Sequence, residues 1–225
     1  MNCLAIDTSF DFLSLALGVN GKTEVLHEPA GQAHAERALP AIGRLLAAAG
    51  TELKDLDAVV FGQGPGSFTG LRIACGLAQG LSFAAGLPVI AIPTLDCVAA
   101  QAVGRVLVCL DARMGQVYTA AYDTSGTWQR LAPMGLCNPQ EVSLPDETGG
   151  WIAAGNGFAA YREALAGRLA PRFAAIEESL MPRADALLRL AETGRYASTH
   201  PSEAGLLYIR DKVALTNSEQ QALRK

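Results

Sequence analysis

Two aspartates, Asp7 and Asp111, are the carboxylates that the sequence places best for chemistry. Each directly follows a short apolar run that is typical of a buried strand. Paired carboxylates at strand ends that face a cleft could hold a metal–nucleotide complex or act as a general base. The alternative is that each accepts hydrogen bonds from its own turn, through Thr8-Ser9 and Arg113 respectively. For an isolated strand-end aspartate this alternative is favoured.

A glycine-rich segment, Gly62 to Arg72, gives the densest signal in the chain. It follows a predicted strand and opens a predicted helix, where backbone N–H groups could hold an anion on Gly64, Gly66 and Ser67. Its spacing matches neither a Walker A loop nor GxGxxG, because no Lys-Ser/Thr follows and Pro65 interrupts the glycines. A tight strand-to-helix turn, with Ser67 or Thr69 capping the helix, is the favoured alternative.

Other catalytic and metal-binding groups are few. The three histidines lie far apart, and the five cysteines show no CxxC and no Cys/His spacing suited to zinc. Scattered through apolar segments, the cysteines indicate small buried thiols in a reducing compartment. A triad of Ser67, His34 and Asp7 lacks the GxSxG elbow, and His34 is expected to be exposed at a helix entry. The sequence therefore predicts no catalytic residue and no metal site.

The composition limits the class of partner. The chain has 225 residues, half of them hydrophobic, with 22 acidic residues against 18 Lys and Arg and a net charge of −4. Such a chain is globular, and it has no global basic field to drive nucleic-acid binding, so any such contact must be local or borrowed. A basic leader and an apolar run of about 20 residues are both missing from the sequence, which predicts a cytoplasmic protein without a membrane partner.

The strands and helices that must position these groups are predicted from the spacing of apolar residues, which alternates between strand-like and helix-like periods along the chain. Asn20-Gly21 predicts a hairpin turn, Gly50 and Gly86 predict helix ends, and Pro40 should start or kink the first helix. The predicted order is βββαβαβ, with strands at Cys3–Ile6, Phe12–Val19, Thr23–Leu26, Ala58–Phe61 and Val89–Ile92 and helices at His34–Ala49 and Ser67–Ala85.

The second half of the chain repeats this pattern. Its predicted strands are Arg105–Leu110, Gln116–Tyr122, Trp128–Leu131 and Trp151–Ala154, and its helices are Phe158–Leu169 and Ala184–Ala191. Asp7 and Asp111 then occupy equivalent places, each after a first strand. We predict an α/β protein of two related lobes, residues 1–103 and 104–225, with βββαβα in each and the second lobe reduced.

The helix after the glycine-rich turn has an unusually wide apolar face. Its polar strip, formed by Arg72, Cys75, Gln79 and Ser82, is narrow, and small residues would let another helix approach closely. We predict a subunit interface on the first lobe, although coverage by the neighbouring helix would explain the same pattern. The predicted interface residues are Leu39, Ile42, Leu46, Leu71, Ala74, Leu77, Ala78 and Leu81.

Five segments resemble the successive signatures of the TsaB (YeaZ) family in order and spacing. The run Gly64 to Arg72 together with Asp111 to Tyr118 is the specific part, and Tyr208-Ile209-Arg210 resembles a shorter closing motif. The segment from about residue 133 to 204 carries no motif that is diagnostic of the family. The other three segments are Ile6-Asp7-Thr8-Ser9, His34-Ala35-Glu36-Arg37 and Pro93-Thr94-Leu95-Asp96.

The resemblance implies the actin-like, ribonuclease H-like fold of the ASKHA superfamily of acetate kinase, sugar kinase, Hsp70 and actin. It also implies a role in forming threonylcarbamoyladenosine beside the anticodon of tRNA. In that system a synthase makes threonylcarbamoyl-adenylate, and the metal-dependent paralogue TsaD transfers the group to tRNA with the help of TsaB and the ATPase TsaE.

Departures from the catalytic paralogue decide which subunit the chain resembles. TsaD-like proteins carry His-x-x-x-His after the strand equivalent to Val89–Ile92, and the matching residues here are Thr94 and Val98. Active superfamily members usually have glycine after the strand-end aspartate, whereas Thr8 follows Asp7, so Asp7, Gly64, Gly66, Ser67 and Asp111 would form at most a vestigial nucleotide or anion site. A protease label finds no HExxH to support it.

The sequence therefore predicts a non-catalytic scaffold that dimerises with TsaD, acts with TsaE and forms a homodimer when alone. It meets tRNA only through the complex and has no intrinsic cofactor, so ATP or ADP belongs to the complex. The rival is a free-standing phosphotransferase or ATPase that uses Asp7, Asp111 and the Gly64–Gly70 loop. A self-associating regulator with no role in tRNA modification is a second rival.

Overall fold

Two mixed sheets, one in each half of the chain, form the framework of the protein. The computed structural model describes residues 1–146 and 148–210, so the polar tail at 216–225 lies outside the described residues. The first half contains β1 (Cys3–Asp7), β2 (Phe12–Val19), β3 (Lys22–Pro29), α1 (His34–Ala49), β4 (Ala58–Gly64), α2 (Phe68–Ala85), β5 (Val89–Pro93) and α3 (Thr94–Ala99). The second half contains β6 (Arg105–Asp111), β7 (Val117–Asp123), β8 (Gln129–Cys137), β9 (Trp151–Ala154), α4 (Gly157–Ala160), α5 (Arg162–Leu169), β10 (Phe173–Glu177), α6 (Ala184–Glu192) and β11 (Ser198–Thr199).

The strand orders of the two sheets confirm the predicted duplication. The first sheet runs β11-β5-β4-β1-β2-β3 and the second runs β10-β9-β6-β7-β8. In both, an antiparallel meander of three strands continues through two parallel pairings. β6 therefore corresponds to β1, and Asp111 and Asp7 end equivalent central strands. The second lobe is reduced, because a short 3₁₀ turn, Pro139–Glu141, stands between β8 and β9 where the first lobe has α1.

The last described part of the chain does not stay with the second lobe. We predicted that residues 104–225 form one lobe, but α6 packs on the first sheet and β11 pairs with β5 at its edge. The cause is the apolar back of the first sheet, where Ala5 and Val60 form one buried cluster with Leu187. Without α6 that face would lie in water.

The helix ends follow the sequence closely, with two differences. Gly50 and Gly86 both adopt the left-handed conformation that ends α1 and α2. Pro40 lies inside α1 on its exposed side and does not start the helix. The single helix predicted at 158–169 is two helices, α4 and α5, divided at Tyr161, and β10 was not predicted.

A buried carboxylate ties the two lobes together. Asp96 on α3 is 2% exposed and accepts hydrogen bonds from Tyr122 on β7 (2.8 Å), Arg130 on β8 (2.9 Å) and Tyr196 after α6 (2.9 Å). Burial, followed by the nearby Asp96 charge, raises the pKa of both tyrosines. Both phenols therefore stay protonated and donate to Asp96, which fixes the lobes against each other. Among the described residues, no helix is both long and apolar enough to cross a membrane.

Candidate functional site

Asp7 is sealed inside the first lobe. It is 2% exposed, and its Oδ1 accepts from the Ser9 backbone N–H (3.0 Å) and the Ser9 hydroxyl (2.7 Å). A Cβ added at Gly62 would lie 2.0 Å from Asp7 Oδ2, which has no hydrogen-bond partner among the described residues. Desolvation by burial, partly offset by the Ser9 hydrogen bonds, raises the pKa of Asp7 to about 6. Its hydrogen bonds are those of the turn that follows it.

The glycine-rich turn packs directly against the same turn. Ser67 N–H donates to Ser9 O (2.8 Å), and the Thr8 hydroxyl donates to Gly70 O (2.7 Å). A Cβ at Gly66 would meet Ser9 O at 2.7 Å, and one at Gly70 would meet Thr8 O at 1.9 Å. These glycines thus permit a close approach of two backbones.

Gly64 and Ser67 have structural roles in this turn. Gly64 has φ of +110°, and a Cβ there would lie 2.7 Å from Leu207 O. The Ser67 hydroxyl accepts from Gly70 N–H (3.4 Å) as the cap of α2. The geometry favours the tight-turn alternative over an anion site.

Asp111 is the strand-end aspartate that reaches the space between the lobes. Its Oδ1 accepts from Arg113 N–H (2.9 Å) and from the Tyr161 hydroxyl (2.9 Å), and its Oδ2 lies 3.5 Å from Arg113 Nη1. The Asn156 side chain accepts from Asp111 N–H (2.8 Å). The sequence predicted Arg113 as a hydrogen-bond partner of Asp111. It did not predict Asn156 and Tyr161, because nothing in the sequence links Asp111 to residues 45 and 50 positions away.

An interlobe cleft of about 640 Å³ opens beside Asp111 but not beside Asp7. Its charged lining comprises two acids, Asp11 and Asp111, and two bases, Arg113 and Arg210. The guanidinium of Arg210 donates to Ala112 O (2.9 Å) and so holds the turn after β6 against the C-terminal segment. The predicted five-residue site is therefore divided: Asp111, Gly66 and Ser67 line the cleft, and the other two residues lie outside its lining.

The prediction for His34 is wrong, because this residue is 5% exposed. It begins α1 and is among the residues that line the interlobe cleft, and burial lowers the pKa of its imidazole. Its Nδ1 has no hydrogen-bond partner within the described residues. The hydrogen bonds of Ser67 and Asp7 go to their own turns, so the described contacts do not link these residues with His34 as a triad.

Half of the predicted interface residues do not reach the surface. Ile42, Leu71, Ala74 and Ala78 are at most 1% exposed. Ile42, Ala74 and Ala78 belong to the core between the first sheet, α1 and α2. That part of the prediction is wrong, because the sheet covers this stripe of the helix. Of the other four, Leu39 is exposed. The remaining three, Leu46, Leu77 and Leu81, are half-buried at the edge of the core.

The polar strip of α2 is also covered. Gln79 donates to the carbonyls of Pro201 (3.2 Å) and Ala204 (3.3 Å), and Cys75 and Ser82 are buried. The C-terminal segment 201–207 therefore crosses α2 over its polar strip. What remains in solvent beyond Arg72 is an uncharged surface, the exposed α2 face, formed by Gly76, Gly80, Phe83 and Ala84.

Comparisons with known proteins agree with this architecture. The family model described as "TsaD: tRNA N6-adenosine threonylcarbamoyltransferase" matches residues 24–207. The tRNA threonylcarbamoyladenosine biosynthesis protein TsaB of Escherichia coli (strain K12) is 35% identical, covering 95% of this chain and 96% of that protein. The chain belongs to the TsaB (YeaZ) family.

Further relatives extend this assignment. The Haemophilus influenzae TsaB is 33% identical over 95% of both chains. The solved structure of YeaZ from Pseudomonas aeruginosa superposes with a TM-score of 0.84 at 36% identity, covering 92% of this chain and 99% of that one. In the described part of the chain, no group of three or more His, Cys, Asp and Glu residues is placed to hold a metal ion.

Proposed function

We propose that this TsaB-family chain is a non-catalytic subunit in the formation of threonylcarbamoyladenosine on tRNA. In this proposal it dimerises with TsaD and acts together with TsaE while TsaD transfers the threonylcarbamoyl group. The choice of pathway is supported by the TsaB relatives, which are named for threonylcarbamoyladenosine biosynthesis and are similar to this chain over nearly their whole length. The observation that carries the subunit role is the closed turn between Thr8-Ser9 and Gly66–Gly70.

A closed turn argues against catalysis by this chain. Phosphoryl transfer needs backbone donors and a metal-binding carboxylate open to the phosphate. Here Ser67 N–H is bonded to Ser9 O, and the carboxylate of Asp7 is buried under Gly62. Thr94 and Val98, at the positions where TsaD-like proteins carry metal-binding histidines, are fully buried on α3. Neither nucleotide hydrolysis nor metal-assisted transfer has the groups it requires in these places.

The surface of α1 and α2 supports a partner on the first lobe. From Ile73 to Gly86 the chain carries no charged residue, although part of this segment lies in solvent. Phe83 is 74% exposed, and on the neighbouring helix Leu39 is 53% exposed. Aromatic and apolar residues without charge are typical of the centre of an interface.

The proposed contact is therefore the exposed α2 face together with Leu39, with the half-buried Leu77 and Leu81 at its edge. Gly76 and Gly80 let a partner helix approach closely, because a Cβ at either would meet nothing within 4 Å. In the absence of TsaD the same surface would form a homodimer.

Reconstitution tests the proposal. Purified synthase, TsaD, TsaE, tRNA, threonine, bicarbonate and ATP are combined with and without the chain, and modified adenosine is quantified by mass spectrometry. We expect modification only when the chain is present, and no ATP turnover by the chain alone. Full modification without it would contradict the proposal. ATP turnover by the isolated chain, abolished in Asp7→Ala, would support the rival ATPase instead.

A further inference from the structure

A cluster of exposed aromatic and basic side chains rims the interlobe cleft. We call it the mouth patch, and it comprises Phe68, Arg72, Arg113, Met114, Tyr208 and Arg210. Phe68, Met114 and Tyr208 are 44%, 55% and 48% exposed, which makes them three of the nine exposed large hydrophobic residues in the described ranges. A chain that buries most of its apolar side chains thus leaves a third of its exposed ones at one edge of one cleft.

The guanidinium of Arg72 lies over the Phe68 ring, and the neighbouring Tyr208 ring is tilted by 38° from that of Phe68. Arg72 Cζ lies 3.3 Å from the centroid of the Phe68 ring and 5.9 Å from that of Tyr208. The two ring centroids are 6.2 Å apart. Such a group of planar surfaces, open on its outer side, can receive a further flat ring.

The charge of the patch is opposite to that of the whole chain. No carboxylate of the described residues pairs with Arg72 or with Arg210, and the Arg113 side chain is 78% exposed even though it lies 3.5 Å from Asp111. Arg210 is engaged with backbone carbonyls and Met114 Sδ, so it holds the patch together. Two cations can therefore meet an anion from outside: Arg72, which has no carboxylate partner among the described residues, and Arg113, which is mostly exposed although it is ion-paired with Asp111.

We propose that the mouth patch binds a single-stranded loop of the RNA substrate, with a base stacked on Phe68, Arg72 and Tyr208 and phosphates paired with Arg72 and Arg113. This inference rests on the proposed function, which makes tRNA the substrate of the complex. Unstacked bases need ring faces together with planar cations, and single-stranded RNA is recognised in this way. An acidic protein segment would need the arginines but not two open aromatic rings.

Binding of tRNA to the complex of the chain with TsaD tests the inference. Dissociation constants are measured by fluorescence anisotropy for the wild type and for Tyr208→Ala, Phe68→Ala, Arg72→Gln and Arg113→Gln. Removal of one stacking ring should weaken binding roughly tenfold. Each arginine variant should weaken binding and lower the slope of log K against log salt by about 0.7, the value for one phosphate contact with a single strand. Arg189→Gln, on α6 and away from the cleft, removes the same charge and should change neither quantity.

A second measurement locates the contact directly. Ultraviolet crosslinking of bound tRNA followed by mass spectrometry should find crosslinked peptides at 65–72 and 205–210. Unchanged tRNA affinity and slope in all four variants would overturn the inference, and so would loss of TsaD or TsaE assembly with tRNA affinity intact, which would mean a protein partner. Unchanged affinity would leave the proposed function standing, whereas loss of TsaD assembly would move the proposed TsaD contact to the mouth patch. Failure of the proposed subunit role itself would appear as modification that does not require the chain.

Discussion

Gly80→Arg should stabilise the fold of this chain while weakening its binding to TsaD roughly 100-fold. Gly80 lies in the interior of α2, exposed to solvent, and an added Cβ meets nothing within 4 Å. Glycine inside a helix costs about 1 kcal/mol relative to arginine or alanine, so the free energy of unfolding should rise by about 1 kcal/mol and Tm by about 2–4 °C.

The same arginine would lie at the centre of the proposed interface. A charge buried there without a partner costs several kcal/mol, and about 3 kcal/mol corresponds to a roughly 100-fold weaker Kd. Thermal unfolding gives the stability change, and isothermal titration with TsaD gives the affinity. Gly167→Arg is the matched control, because Gly167 is an exposed helical glycine of the second lobe with equally open surroundings.

The control should show the same rise in Tm with unchanged affinity. A Gly80→Arg protein that binds TsaD within threefold of wild type would refute the assignment of the exposed α2 face. A fall in Tm would instead refute the helix environment on which the magnitude rests.

Three further predictions follow from the buried turn and the interlobe contacts. Gly70→Ala should destabilise the fold by about 3 kcal/mol or more in a denaturant titration, since its Cβ would lie 1.9 Å from Thr8 O; a wild-type midpoint would contradict the close approach. The pKa of Asp7 is raised in the folded state to about 6 from 3.8, so its stabilising contribution is present below pH 4 and is lost as the pH rises to 6. The stability of Asp7→Asn relative to wild type should therefore increase by about 2 kcal/mol between pH 4 and pH 7, and a constant difference would show that Asp7 does not titrate abnormally. Asp96→Asn should cost about 3 kcal/mol, because it breaks a buried pair with Arg130 and weakens the bonds from two tyrosines, and an unchanged unfolding midpoint would show that these contacts do not hold the lobes together.

Local patterns were sufficient to predict the elements of each lobe and the ends of α1 and α2. Alternation, turn residues and the glycines at 50 and 86 act over short distances, so the predicted and observed elements agree where such signals exist. The repetition predicted that the two lobes share one topology, and the strand orders of the two sheets correspond. The roles of Ser67 and Thr8-Ser9 in a closed turn were also the alternative that the sequence favoured.

The sequence could not predict which distant segment covers each apolar face. The periodicity of α2 shows that several of its faces are apolar, but not which neighbour covers each. The core of the first sheet covers Ala74 and Ala78, and the segment 201–207 covers Gln79, which is 122 residues from its partner Pro201. The return of α6 to the first sheet has the same origin, since its partners Ala5 and Val60 lie far away in the chain. Interactions of this kind depend on tertiary placement rather than on local sequence.

The buried partners of the lobes show the same limit. Asp96 meets Tyr122, Arg130 and Tyr196, which are 26, 34 and 100 residues away. No periodicity connects these positions, and only the packing of α3 between the sheets brings them together. His34 was predicted to be exposed for a similar reason, because the other segments that line the cleft with it, such as 66–70 and 111–114, are distant in the chain.

The most direct test of the account is the stoichiometry with which the chain supports tRNA modification. TsaD is held at a fixed concentration well above its Kd for the chain, with TsaE, the synthase and tRNA in excess, and the initial rate of threonylcarbamoyladenosine formation is measured as the chain is titrated. A non-catalytic subunit predicts a linear rise that ends sharply at one chain per TsaD, with Asp7→Ala giving the same curve once folded. Full rate at a small fraction of that ratio, or loss of activity in folded Asp7→Ala at saturating concentration, would contradict the account.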